Sequence, residues 1–261
     1  MRKTFRSLID SKVPFIGAFN QLASIELAEM MAYSGFDFIL IDMEHSLIDQ
    51  STAVHMLRAV EGAGAATMIR LPEVNEDLIK RALDMGAGGI MVCGVRSYED
   101  ALDAVKFAKF KPLGERGACP AVRANRYGLA NHTDYYAKQN EETVVFVALE
   151  GPDVIKDIDR IAAIEGIDIL GVGPVDLSVA LGVPGQLNSP QVLEAITEVK
   201  RKANSNGKMY ASFSEQIEDF LQMEEPADFY LLAGDIWMIG RMLKSLNKKI
   251  QMLKDKTKKE K

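Results

Sequence analysis

The sequence predicts an α/β protein, a single (β/α)8 barrel, and three observations predict it. Eight short apolar runs, each bounded by turn residues, are spread along 261 residues. The runs are near-continuously apolar, the mark of parallel strands covered on both faces. Helix-like segments separate them, and no Gly/Ser/Pro-rich linker divides the chain into two cores.

The expected strands are, in order, 14–19 (PFIGAF), 37–42 (DFILID), 66–71 (ATMIRL), 89–94 (GIMVCG), 144–150 (VVFVALE), 168–173 (DILGVG), 209–213 (MYASF) and 228–234 (DFYLLAG). Among the intervening helix-like segments is 151–165. Val154, Ile155, Ile158, Ile161 and Ala162 fall on one face, and Lys156, Asp157, Asp159 and Arg160 lie mostly off it. The two longer gaps, 95–143 and 174–208, are expected to carry a helix and an extended loop each. The first contains E-R-G-A-C-P-A-V-R-A-N-R-Y-G, whose glycines, proline and three arginines read as a functional loop. Residues 1–261 are expected to form one domain, with 254–261 a solvated end of the last helix.

Composition narrows the function. A chain with 48% hydrophobic and 26% charged residues is an ordinary globular one, and a net charge of -6 argues against a basic face for nucleic acid. No apolar stretch approaches the roughly 18 residues of a membrane span, so a cytoplasmic protein is expected. Cys93 and Cys119 are too few for a disulfide framework and have no zinc-ribbon spacing; they read as ordinary thiols.

In a barrel of this kind, chemistry collects at the C-terminal ends of the strands. Asp42 ends the second expected strand, with Glu44 and His45 just beyond it; Arg70 is near the end of the third and Glu150 ends the fifth. Asp176 follows the sixth and Asp235 the eighth. Each has an ordinary structural reading. Asp42 could cap a helix, although Asp49 or Ser51 is better placed; Asp176 could cap a helix starting at Leu177; Arg70, before Pro72, could be a surface charge. His45 alone would more often be a satisfied structural histidine. The set as a whole, at one barrel end, favours a site.

Glu150 is the most informative residue, because a carboxylate closing an apolar strand is costly unless paired or bound to a cation. Glu150 and Asp176 together offer oxygen ligands suited to Mg²⁺, Mn²⁺ or Co²⁺. The set then reads as a site for a small 2-oxo acid, with the cation acting on its carbonyl and Arg70 stabilising the developing enolate. His45 is the expected proton-transfer group and Asp42 its orienting partner. A lysine Schiff base is the competing route, but no lysine falls at the C-terminal end of an expected strand. Arg116, Arg123 and Arg126 are candidates for recognising a carboxylate or phosphate on the acceptor, or for pairing with an acidic surface or a neighbouring subunit.

From about residue 4 to about 250 the chain resembles the metal-dependent class II pyruvate aldolases of the HpcH/HpaI aldolase and citrate lyase family. The resemblance rests on G-F-D-F-I-L-I-D-M-E-H (35–45), I-R-L-P (69–72), L-D-M-G-A-G-G-I-M-V (83–92), R-A-N-R-Y-G (123–128), E-G-P-D-V (150–154), I-D-I-L-G-V-G-P-V-D-L-S (167–178) and L-L-A-G-D (231–235), in that order. It implies that Glu150 and Asp176 bind the metal, that Asp42 and His45 form a proton-transfer dyad, and that Arg70 contacts the 2-oxo acid. Gly173, Pro174 and Val175 would line the substrate beside Asp176. It further implies that Asp84 reaches a neighbouring subunit's site in a homo-oligomer, a hexamer or trimer, with a C-terminal helix used in oligomer packing. Glu44, where the strand gives way to a loop, reads as a partner of metal-bound water or of an arginine. Two departures stand out: Ala148 replaces the family's usual glutamine, and Cys93-Gly94 stands where a proline is usual.

The leading expectation is therefore a lyase cleaving a 4-hydroxy-2-oxo acid to pyruvate, or a related 2-oxo acid, and an aldehyde. A condensing enzyme joining an acyl thioester to a 2-oxo acid, in a siderophore or other biosynthetic pathway, is the alternative that Ala148 keeps open. A non-catalytic barrel used for binding is the third.

Overall fold

The computed structural model describes residues 3–223 and 226–259. Helix α1 (Phe5–Ser11) leads into strand β1 (Phe15–Asn20), and the chain then alternates: α2 (Ile25–Tyr33), β2 (Phe38–Asp42), α3 (Gln50–Gly62), β3 (Ala66–Leu71), α4 (Glu76–Asp84), β4 (Gly89–Val95). Helix α5 (Tyr98–Ala108), a 3₁₀ turn (Arg123–Gly128) and α6 (His132–Glu142) precede β5 (Val144–Leu149). Then come α7 (Pro152–Lys156), α8 (Ile158–Ala162), β6 (Ile169–Val172), α9 (Pro174–Ala180), α10 (Pro190–Ser205), β7 (Met209–Ser214), α11 (Ile217–Leu221), β8 (Phe229–Leu232) and α12 (Asp235–Lys259).

All eight strands pair in parallel with their sequence neighbours, and β8 closes onto β1, giving the expected (β/α)8 TIM barrel. Strand alternation divides the core in two. Phe15, Phe38, Leu40, Met68, Met91, Phe146, Phe229 and Leu231 fill the barrel interior, while Ile39, Ile41, Ile69, Val92, Val147 and Leu170 face the helical shell. Helix α1 stops the N-terminal end: the Phe5 ring lies 5.1 Å from that of Phe38 and 6.4 Å from that of Phe15. With that end filled, only the C-terminal end is left to form a mouth.

Three details differ from the sequence reading. Each of the two longer gaps carries two helices instead of one, α5 and α6 in the first and α9 and α10 in the second. The segment 151–165 is two short helices rather than one, because Asp157 adopts φ -89 and ψ 9, which ends α7 and starts α8. Helix α9 begins at Pro174, so Asp176 lies in its first turn instead of capping a helix at Leu177. Asp49 is the cap of α3, its carboxylate accepting the Thr52 N–H at 2.7 Å. Of the expected tail, residues 254–259 continue α12, and residues 260–261, like 1–2 and 224–225, lie outside the described residues.

Candidate active site

The alternation that sends Leu40 and Met68 into the barrel also sends Asp42, Arg70 and Cys93 inward, one layer nearer the mouth. Asp42 and Arg70 are direct partners in the β2–β3 register. Asp42 is fully buried. Its Oδ1 accepts the backbone N–H groups of Glu44 at 2.9 Å and His45 at 3.1 Å, and its Oδ2 accepts Gln21 Nε2 at 3.0 Å. The carboxylate therefore holds the turn after β2 in shape. Arg70 Nη1 approaches the same Oδ2 at 3.5 Å, its Nε is ion-paired with Glu44 Oε2, and its guanidinium lies 5.2 Å from the Phe19 ring centre. Burial opposes the charge on Arg70, but Cys93, Asp42 and Glu44 outweigh it and hold the guanidinium above the usual arginine range.

The expected contact between the Asp42 carboxylate and the His45 imidazole is absent. Asp42 spends its lone pairs on backbone N–H groups and Gln21, and the imidazole sits 58% exposed at the rim with Nε2 3.5 Å from Glu44 Oε2. Asp42 positions His45 through the backbone, and Glu44 is the carboxylate beside the ring. Asp235 also has a structural part. Buried after β8, it accepts Asn20 Nδ2 at 2.6 Å and the N–H groups of Gln21 and Leu22 at 2.9 and 3.0 Å. It thereby fixes the loop from which Gln21 reaches Asp42.

Glu150, one residue beyond β5, lies on the far wall. The Gly94 N–H donates to its Oε2 at 3.1 Å. Burial raises its pKa; the Gly94 bond opposes this, while the nearby charges of Asp176 and Glu44 add to it. Asp176 approaches from the first turn of α9 across Gly173. A Cβ on Gly173 would lie 3.1 Å from Asp176 Oδ2 and 3.6 Å from Glu150 Cγ, so the absent side chain leaves room for both acidic residues on either side of it. Pro174 and Val175 complete that turn. The ligand atoms of Glu44, Cys93 and Glu150 also lie within 4.8 Å of one another. A partly buried Glu150 with two anionic neighbours and an oxygen-rich surround fits a divalent cation, which would relieve the repulsion.

The loop arginines are not at this mouth. Arg116, its side chain fully buried, pairs with Asp84 at 2.6 Å and lies 4.6 Å from the Phe110 ring centre. Arg123 pairs with Glu61 at 2.6 Å and donates to the Met85 carbonyl at 2.7 Å. Asp84 and Met85 stand just before β4, at the N-terminal end of the barrel, so within one subunit these residues are remote from Glu150. Arg126 is exposed in the same 3₁₀ turn. Of the two roles expected for this trio, acceptor recognition or pairing with acidic groups or a neighbouring subunit, the in-chain carboxylates beside Arg116 and Arg123 fit the second. Conversely, Gln21, Cys93 and the Gly94 N–H were missed. Only the inward register of residue 93 could have flagged any of them.

The chain matches the profile of HpcH/HpaI aldolase/citrate lyase over residues 16–233. The chain belongs to this family. Among its relatives, 5-keto-4-deoxy-D-glucarate aldolase of Shigella boydii is 34% identical over 204 residues, 78% of this chain and 79% of the relative. The crystal structure of the HpcH/HpaI aldolase from Desulfitobacterium hafniense superposes with a TM-score of 0.89 at 27% identity, covering 95% of this chain and 96% of that one. That of the citrate synthase SbnG gives 0.88 at 28% identity, covering 97% and 99%. Among the described residues no helix is long and apolar enough to cross a membrane.

Proposed function

We propose that this family member is a divalent-metal-dependent carbon–carbon lyase of the aldolase type, cleaving a 4-hydroxy-2-oxo acid into pyruvate, or a related 2-oxo acid, and an aldehyde. The observation that carries the reading is the meeting of Glu150 and Asp176 across Gly173, opposite a guanidinium held by Asp42 and Glu44. Mg²⁺, Mn²⁺ or Co²⁺ held by Glu150 and Asp176 would supply Lewis acidity to the 2-oxo group. Arg70, held at Nη1 by Asp42 and at Nε by Glu44 and Cys93, is preorganised to stabilise charge developing on the 2-oxo oxygen. His45 Nε2, at the open rim, removes the proton of the 4-hydroxyl group as the C3–C4 bond breaks. Glu44, 3.5 Å from that nitrogen, supports the imidazolium that results, which then gives the proton to C3 of the enolate to complete pyruvate. In the reverse direction the same atoms return the proton.

The condensing alternative draws support from the similarity to the citrate synthase SbnG and from Ala148, buried where the family's amide is usual. An acceptor screen separates the two. Pyruvate released from a 4-hydroxy-2-oxo acid identifies the aldolase, whereas consumption of an acyl thioester without pyruvate release identifies the condensing enzyme. The two free thiols, Cys93 and Cys119, suit a reducing, cytoplasmic setting.

A homo-oligomer is part of the proposal. In α12, Ile236, Ile239, Leu243, Leu246, Ile250 and Leu253 repeat at alternating spacings of three and four, the seam of a helix that packs on another. Ile236, Leu243, Leu246, Ile250 and Leu253 are each between 41% and 66% exposed. Light scattering should give a mass several times that of one chain, and Leu243→Glu with Leu246→Glu should lower it.

A further inference from the structure

At the mouth, β4 leaves regular pairing: its register against β5 shifts between Val92 and Val95. Gly94 takes φ +66 within the irregularity, and a Cβ there would lie 3.0 Å from the Pro72 carbonyl oxygen. A bulge of this kind re-aims the residues around it. Here it turns two consecutive residues toward one carboxylate: the Gly94 N–H bonds Glu150 Oε2 at 3.1 Å, and the Cys93 sulfur lies within 4.8 Å of an oxygen of the same side chain. Cys93 Sγ also accepts Arg70 Nε at 3.3 Å, although it is only 1% exposed. A cysteine serving only as apolar filling would sit among hydrocarbon. This one sits between a guanidinium and carboxylates.

Its sulfur lies within 4.8 Å of a carboxylate oxygen of both Glu44 and Glu150. Sulfur and oxygen donors on one cation, at about 2.3 and 2.1 Å from it, stand roughly 3.6 Å apart in tetrahedral geometry. A small side-chain adjustment therefore brings the group together around an ion. We propose that the cation site of this chain extends to Cys93, whose sulfur becomes a ligand alongside Glu150, so that the site favours a thiophilic divalent cation such as Co²⁺ or Zn²⁺ over Mg²⁺. The inference rests on the divalent-cation reading of the mouth. Binding exchanges the thiol S–H bond for a sulfur–metal bond and releases one proton to solvent per ion taken up, with no change of oxidation state.

Titration of the metal-free protein with Co²⁺, followed by absorption and by equilibrium dialysis, tests it. The expected result is one equivalent bound with a sulfur-to-cobalt charge-transfer band in the near ultraviolet. Cys119→Ser should retain the band. Cys93→Ser should lose it while still binding Co²⁺ through its oxygen ligands, and its preference for Co²⁺ over Mg²⁺ should fall by roughly tenfold or more. One equivalent of Co²⁺ bound by the wild type without the band would overturn the assignment of Cys93 and leave the oxygen site standing. No Co²⁺ or Mg²⁺ bound at all would overturn the cation reading itself. The wild-type spectrum is decisive even if Cys93→Ser fails to fold.

Discussion

Replacing Gly173 by alanine separates site geometry from fold stability, because the two should move in opposite directions. Gly173 has φ -76 and ψ 96, a conformation that alanine adopts freely. Removing glycine's extra freedom in the unfolded chain should therefore stabilise the fold by about 0.4–1 kcal/mol. The new methyl, however, would lie 3.1 Å from Asp176 Oδ2 and 3.6 Å from Glu150 Cγ. The first distance is inside comfortable contact, so the Asp176 carboxylate must shift from its place beside Gly173. Displacements of this kind around a metal ligand weaken binding by roughly 10- to 100-fold, or about 1.4–2.7 kcal/mol. Calorimetric titration with Mn²⁺ gives the affinity, and thermal unfolding of the metal-free protein gives the stability. An unchanged affinity for Mn²⁺ in Gly173→Ala would refute the placement of the cation between Glu150 and Asp176.

Other perturbations probe separate parts of the molecule. Arg70→Lys removes the Nε that meets both Glu44 and Cys93; kcat/KM should fall roughly 100- to 1,000-fold, and a loss under fivefold in steady-state assays would count against the role given to Arg70. Arg116→Met breaks the buried pair with Asp84 and should lower the unfolding free energy by about 3 kcal/mol in urea titrations, with a change under 0.5 kcal/mol, roughly that of an ordinary surface substitution, the contrary result. Burial raises the pKa of Tyr210 above its ordinary value of 10.0, so above pH 10 the unfolded chain ionises there while the folded chain stays protonated. Stability falls with rising pH by up to about 1.4 kcal/mol per unit from this group alone. Tyr210→Phe should flatten the decline in unfolding free energy between roughly pH 10 and 12; curves of equal slope would show that Tyr210 does not titrate in this way.

Strand positions were legible in the sequence because each was a compact apolar run bounded by turn residues, and a closed parallel sheet demands just such runs. The placement of Asp42, Arg70 and Glu150 followed from the same logic, since a polar residue at the end of an apolar strand faces the mouth. The loops were less legible. Nothing local announced that Arg116 and Arg123 would be taken up by Asp84 and Glu61, since the loop carrying them had no periodicity to place it. Nor did spacing show that Asp42 would spend its carboxylate on the N–H groups of residues 44 and 45, leaving the imidazole to Glu44. Cys93 read as an ordinary thiol because its significance depends on a bulge in β4 and on a partner 57 positions later, Glu150.

Exchange of the pyruvate methyl protons for deuterium, followed by proton NMR, tests cation-dependent proton removal from a 2-oxo acid most directly. With metal-depleted protein in the presence of a chelator the methyl signal should persist; adding back Mg²⁺, in excess of the chelator, should make it decay; and Glu150→Gln should leave it intact under either condition. A methyl signal that decays equally fast with and without chelator, in wild type and Glu150→Gln alike, would contradict a metal-dependent lyase and return a lysine Schiff base to consideration.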